Sequence, residues 1–376
     1  MSLGKKLEIG FKNLSAVILR SLLSQPPKMA NPPFRRVLYI RYGGIGDMLL
    51  SLPLFRATRD QSPDTIIDVL CDRKNVSPIQ GTSLVDNLYY YDKAPRQIVS
   101  LVRQLRRHNY DYVCNLLVYP TFTFGLLARL IGPRALRAGG DQGRFSYLYN
   151  RLIDLPPKRD IPMLDRLFLL AEDAVNKSAA SLETPWADFE EDVKTQAEAL
   201  YHEMVKQFNG GNTPARIAAV NLTAGLQRRE WPLEKFREFL AAAIEKYDSE
   251  IDGWLVFTDP GKPEAAEWLA NAVSHPKLKT VPANKDYRII IQFLRHIFLL
   301  ITPDTSFTHA ASAMGTPVLN LMIGENVVTW PPVGVPHVIV ASQDPVNLTE
   351  LPVADVADGF DALMTSIEHI PLQKAK

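Results

Sequence analysis

Cysteine is nearly absent from this chain: Cys71 and Cys114 are the two in 376 residues. Both sit inside apolar runs that read as strands, so they are expected as buried free thiols, not as a disulfide or a metal pair. An excess of either charge is missing too. Lys and Arg number 42 against 41 Asp and Glu, a net charge of +1, which gives no footing for a nucleic-acid partner. No apolar run approaches the ~20 residues that a membrane span needs. No D-x-D triplet occurs, so a divalent ion held in that way has no evident ligands, and no metal site is assigned.

The first 34 residues differ from the rest. Lys5 and Lys6 lead into a segment with apolar residues at helical spacing, from Leu7 through Phe11, Leu14, Ile18 and Leu22, interrupted by Glu8, Lys12 and Arg20. Those charges break the continuous apolar core of a cleavable leader. A basic amphipathic helix is expected, suited either to an anionic membrane surface or to packing on its own domain or a partner chain. Pro26, Pro27, Pro32 and Pro33 then form a stiff link, completing a leading segment at 1–34.

What the chain does have is a core-forming composition, 46% hydrophobic and 22% charged, at a length that fits two domains of roughly 150–180 residues. From Arg35 the pattern alternates apolar, β-rich runs with amphipathic helical segments, the mark of parallel α/β architecture. In the first half, strands are expected at 36–42, 65–71, 88–91 and 110–116, with helices at 47–60, 97–107, 121–131 and 163–175. Asn176 to Pro185 is polar and aperiodic and reads as a linker. A helix at 189–208 follows. Strands are then expected at 217–221, 253–258, 279–281, 298–301, 317–322 and 337–340, separated by helices at 233–247, 263–273, 287–296 and 306–314, with a last helix at 353–367. Two Rossmann-like halves with parallel sheets, facing each other, would hold a ligand at the carboxyl ends of their strands.

Three stretches carry chemistry. The first runs from Arg41 through Gly43, Gly44, Gly46 and Asp47 to Pro53. Glycines at a strand end let the backbone turn sharply and approach a ligand closely. Their spacing is not G-x-G-x-x-G, which disfavours a nicotinamide dinucleotide. Asp47 begins the following helix. There it can act as a first-turn cap or as a general base in a cleft, and the residues alone leave both open. The second stretch, Asn221 to Pro232, holds Thr223, Gly225, Arg228 and Arg229. Hydroxyl, backbone amides and fork-shaped guanidinium groups suit a diphosphate, though a solvated basic loop would look the same. In the third, a strand ends at Asp304 and a helix of small residues starts at once with Thr305 and Ser306, with His309 one turn further in. A helix start offers free N–H groups and the positive dipole end to a second phosphate.

Together these stretches resemble glycosyltransferase family 9, the ADP-heptose:lipopolysaccharide heptosyltransferase family. The opening signature R-x-G-x-I-G-D, then a helix with proline, is matched from Arg41 through Asp47 to Pro53. The D-T-x-x-x-H stretch is matched by Asp304, Thr305 and His309, running on to Thr316-Pro317. K-x-W-P appears as Arg229-Glu230-Trp231-Pro232, with arginine for lysine, and Glu325-Asn326 also departs from the commonest pattern. The likeness covers nearly everything from Arg35 onward.

The resemblance implies an α/β GT-B fold, with a Rossmann-like acceptor domain at 35–180 and a nucleotide-sugar donor domain at 186–345. The C-terminal helix, within 346–376, could pack back on the N-terminal domain. It implies an inverting, metal-independent transfer from a nucleotide-diphosphate sugar, ADP-heptose foremost, to a lipopolysaccharide-type glycolipid, with no cofactor. Asp47 would be the base and Arg229 a catalytic cation, while Thr223, Gly225, Arg228, Thr305 and Ser306 hold the diphosphate. Asp304 and His309 would meet the donor, and Glu264, with Asp259 second, the ribose. An anionic acceptor would suit the stretch Tyr119 to Arg151, which carries Arg129, Arg134, Arg137, Arg144 and Arg151. The expected location is cytoplasmic, peripheral on the inner face of the cytoplasmic membrane. Alternatives are another nucleotide sugar and surface-glycan acceptor, an epimerase or phosphorylase of the same architecture, and a non-catalytic sugar-nucleotide binder.

Overall fold

The computed structural model describes residues 28–29, 31–119, 121–141, 145–157, 159–176, 184–208, 215–257 and 261–368. The expected helix in 1–27, most of the linker and Asp259 lie outside the described residues. The first half builds β1 (Arg36–Arg41), α1 (Ile45–Leu49), α2 (Leu52–Gln61), β2 (Ile66–Cys71), β3 (Asn87–Tyr90), α3 (Pro95–Arg106), β4 (Tyr112–Asn115), α4 (Phe122–Ile131), β5 (Leu136–Gly140), β6 (Arg151–Ile153) and α5 (Met163–Leu170). The second half builds α6 (Glu191–Val205), β7 (Ile217–Asn221), α7 (Leu233–Lys246), β8 (Gly253–Phe257), α8 (Glu264–Val273), β9 (Leu278–Thr280), α9 (Tyr287–Phe293), β10 (Leu299–Pro303), α10 (Ser306–Met314), β11 (Val318–Ile323), β12 (His337–Ser342) and α11 (Val353–Ile367).

Both sheets are parallel and six-stranded, and they share one topology: β3-β2-β1-β4-β5-β6, and β9-β8-β7-β10-β11-β12. In each, the chain steps outward over three strands and then returns to the other side of the first. That reversal opens a crevice between the carboxyl ends of β1 and β4, and another between those of β7 and β10. Helices cover both faces, so the central strands are buried end to end; β7, β10 and β11 have no exposed residue. One apolar cluster runs from the first sheet through Trp186 and Phe189 into the second half, joining the two. Cys71 and Cys114 are buried free thiols, and burial pushes Cys71 up to about 12.

Three expectations change. The helix at 47–60 is two helices, because Pro53 has no N–H to give and its ring crowds the carbonyl four residues back; α1 therefore ends at Leu49 and α2 restarts at Leu52. Strands β5 and β6 were not anticipated, since Leu136–Gly140 ends in two glycines and β6 is three residues long. The C-terminal helix does not return to the N-terminal domain. In α11, Val356, Phe360, Leu363 and Ile367 join the second domain's own core, and Phe360 meets Phe239, Tyr247 and Trp254 edge-on or tilted. Gly359 lets it lie close on the sheet, where a Cβ would stand 2.5 Å from Val340.

Candidate active site

Each crevice is spanned by a buried polar side chain from the end of its first strand. At the first, Arg41 closes β1 and is 2% exposed. Its Nη1 donates across to the Leu116 carbonyl beyond β4 at 3.0 Å, and its Nε donates to the Asp47 carbonyl at 2.9 Å. Its Nη2 lies 3.0 Å from Asp47 Oδ1. Burial pulls the guanidinium pKa down, and the Asp47 carboxylate opposes that shift. The turn between them requires glycine: Gly43 has φ +152°, and a Cβ there would stand 2.5 Å from Asp47 Oδ2. Gly44 donates its N–H to that same oxygen at 2.8 Å. Asp47 therefore does close the start of α1, as a first-turn acid should. Its side chain nevertheless stays 29% exposed, and it lines a cavity. Cap and cleft carboxylate are one and the same group.

At the second crevice, Asn221 ends β7 and is fully buried. Its Nδ2 donates to the Thr223 carbonyl at 3.0 Å, to Thr302 Oγ1 at 3.0 Å and to Thr305 Oγ1 at 3.3 Å. Its Oδ1 accepts from the Thr223 N–H and hydroxyl. One side chain thus ties the 223 loop to the start of α10. Thr305 is the N-cap of α10, accepting from the Phe307 N–H at 3.1 Å, and Ser306 Oγ pairs with the Tyr287 hydroxyl at 3.1 Å. Arg229 stands on a short turn held by Trp231, which is buried and donates its Nε1–H to the Leu351 carbonyl. Arg229 Nη1 reaches Asp304 Oδ2 at 3.2 Å.

The two crevices face one cavity of about 650 Å³. Gly44, Gly46, Asp47, Thr223, Gly225, Arg228, Arg229, Asp304, Thr305, Ser306 and His309 all line it. Gly46 lets the halves meet, since a Cβ there would be 3.1 Å from the His309 ring and 3.6 Å from the Ser306 backbone. His309 is 4% exposed, and burial drives its pKa down to about 4 against the pull of Asp304 and Asp47, so it is a neutral imidazole at neutral pH. Its Nδ1 is buried and has no hydrogen-bond partner among the described residues. Gly225 has open space on its Cβ side. Arg228 also donates to the Val346 carbonyl at 3.3 Å, so it is partly committed to the loop before α11.

Glu264 is not part of this wall. It is exposed on the first turn of α8 and lines neither this cavity nor the smaller one of about 270 Å³ that shares Thr223. Sequence reasoning gave no role to Asn326, Phe307 or Trp330, which also line the cavity with Ile45 and Ala224, nor to Arg41 and Asn221 behind it. Asn326 had shown itself as a departure from the family pattern, and Arg41 and Asn221 as the strand residues before each loop.

The arginines of 119–151 do not form one acceptor face. Arg137 is 1% exposed and spends its N–H groups on the carbonyls of Gly132, Pro133, Ala135 and Leu148; burial lowers it to about 10. Arg151 pairs with Asp173 at 2.8 Å and Glu172 at 2.6 Å. Arg134 lines a groove with Arg35 and Arg106 at the amino ends of the strands, the far side from the cavity. Arg144 lies outside the described residues. Among the described residues, no three His, Cys, Asp or Glu side chains gather as a metal site would require, and no helix is long and apolar enough to cross a membrane.

A family model described as glycosyltransferase family 9 (heptosyltransferase) matches residues 98–351. Lipopolysaccharide heptosyltransferase 3 of Escherichia coli (strain K12) is 23% identical over 302 residues, 76% of this chain and 82% of its own length. A glycosyl transferase family 9 structure from Veillonella parvula DSM 2008 superposes with a TM-score of 0.71 at 16% identity, covering 90% of this chain and 99% of that one. The E. coli heptosyltransferase WaaC with ADP-2-deoxy-2-fluoro heptose superposes with a TM-score of 0.65 at 17% identity, covering 87% and 99%. These structures share the fold of two facing parallel sheets.

Proposed function

Because the chain belongs to glycosyltransferase family 9, we propose that it moves heptose from ADP-heptose to a lipopolysaccharide-type glycolipid, with inversion and without a metal ion. The observation that carries this reading is the shared cavity: Asp47 from the first half faces Arg229 and the start of α10 from the second. Asp47 takes the proton of the acceptor hydroxyl as that oxygen attacks the anomeric carbon. The bond to the diphosphate breaks on the opposite side of the sugar carbon, and charge grows on the leaving oxygens. Arg229, the Thr305 hydroxyl and the Ser306 N–H at the start of α10 would meet that charge from the cavity wall, the work a metal ion does elsewhere. His309, neutral and lining the cavity, is suited to a sugar hydroxyl.

The donor is inferred from relatives, one of them a heptosyltransferase with a fluorinated ADP-heptose and another named for lipopolysaccharide. A lipid-borne acceptor makes this a peripheral protein on the cytoplasmic face of the inner membrane. The test is Asp47→Asn, assayed with ADP-heptose and lipopolysaccharide from a heptose-deficient strain. Turnover should fall by roughly 10²–10⁴-fold while ADP-heptose binding stays near wild type. Wild-type turnover in that variant removes the base assignment. Stronger thermal stabilisation by another nucleotide sugar removes ADP-heptose as donor, and loss of turnover on adding EDTA removes metal independence.

A further inference from the structure

We infer that Arg41 is a positioning residue for the transfer step: it holds the Asp47 carboxylate in one orientation. This rests on the reading of Asp47 as base. Arg41 does not line the cavity and is 2% exposed, so it acts through Asp47 and not on substrate. Its three contacts form a bracket. Nη1 is anchored on Leu116 O across the crevice, Nε grips Asp47 O, and Nη2 grips Asp47 Oδ1. The backbone and side chain of one residue are therefore held from a single rigid fork, itself fixed to the neighbouring strand.

The carboxylate that results is well prepared. An ionised carboxylate accepts about four hydrogen bonds. Arg41 takes a site on Oδ1 and the Gly44 N–H a site on Oδ2, which leaves lone pairs for an acceptor hydroxyl. Charge from other elements does not replace the bracket. His309 of α10 packs on the same helix through Gly46 but is neutral above about pH 4. Across the cavity, Arg229 is paired with Asp304. Arg41 is the cation in contact with Asp47. Lysine offers one compact ammonium and cannot span Leu116 O, Asp47 O and Asp47 Oδ1 at once.

Arg41→Lys and Arg41→Met are compared with Asp47→Asn in the full chain, using ADP-heptose and heptose-deficient lipopolysaccharide, with kcat and donor KM measured separately. Melting temperature is recorded for each variant. Misplacing a reacting group by about 1 Å costs on the order of 10²-fold, so kcat should fall at least about tenfold in Arg41→Lys and further in Arg41→Met. The donor KM should stay near wild type. A folded Arg41→Lys with wild-type kcat overturns the inference. So does a loss confined to donor KM, or the failure of both variants to fold, which would make Arg41 a purely architectural residue. Wild-type turnover in Asp47→Asn removes the base reading itself, whereas an inactive Asp47→Asn beside an unaffected Arg41→Lys removes this inference alone.

Discussion

Arg229 Nη1 lies 3.2 Å from Asp304 Oδ2, and Asn326 Nδ2 donates to that same oxygen at 2.5 Å. The carboxylate is nearly buried, at 6% side-chain exposure, while the guanidinium is 26% exposed. Asp304 is thus the fixed member, held by the end of β10 and by Asn326, and Arg229 is aimed by it. The Arg229 Nε is buried and has no partner among the described residues. A guanidinium with one edge on a carboxylate keeps other donors for a second anion, which on the proposed function would be the diphosphate.

Arg229→Gln should lower kcat by about 10²–10³-fold, the usual loss when one donor to a developing charge is removed. It should also lower the melting temperature, because Asp304 is left as a buried carboxylate without its cation. Adding Asp304→Asn to Arg229→Gln should restore the melting temperature but not the rate. Recovery of rate in the double variant would show that Arg229 serves only to neutralise Asp304.

Gly43 and Gly44 are neighbours with opposite requirements. At Gly43, φ is +152° and a Cβ would stand 2.5 Å from Asp47 Oδ2; at Gly44 the same distance is 3.6 Å, ordinary contact. Gly43→Ala should therefore push the Asp47 carboxylate aside and reduce kcat on the order of 10²-fold, with Gly44→Ala close to wild type. Steady-state rates beside far-UV circular dichroism check this. Equal tolerance of both substitutions would mean that the Asp47 position is not held by this turn.

Much of this architecture is written in local pattern. Strands such as Ile217–Asn221 and helices such as Ser306–Met314 and Val353–Ile367 fall where apolar periodicity puts them. β5 escapes because its glycines carry no strand signal, and β6 because three residues hold no period. The cavity-lining residues were legible where a loop motif named them. Arg41 and Asn221 were harder, because their work is to bridge strands that are neighbours only in space: Arg41 to Leu116, Asn221 to Thr302 and Thr305. The arginines of 119–151 misled for the same reason. Composition shows that Arg137 and Arg151 are cationic, but not that Arg137 is buried among carbonyls and Arg151 is paired with Asp173. The placement of α11 was decided by Phe360 finding Phe239 and Trp254, a contact between residues more than a hundred positions apart.

His309 gives the protein a defined acid sensitivity. Burial lowers its pKa to about 4, against an ordinary value of 6.5. The folded chain therefore keeps this imidazole neutral where the unfolded chain would protonate it. Above 6.5 neither state takes the proton, and below about 4 both do, so stability falls only as pH drops between those two values. A shift of this size corresponds to about 3 kcal/mol across the window. His309→Gln removes the titration, so urea midpoints measured from pH 7 to pH 4 should fall more steeply for wild type than for the variant. Parallel slopes would mean that another group carries the acid sensitivity. Because the ring lies between Gly46 and Trp330 at the junction of the two halves, the same protonation should loosen α1 from α10. Amide exchange in Ile45–Leu49 should then rise on acidification in wild type and stay level in His309→Gln.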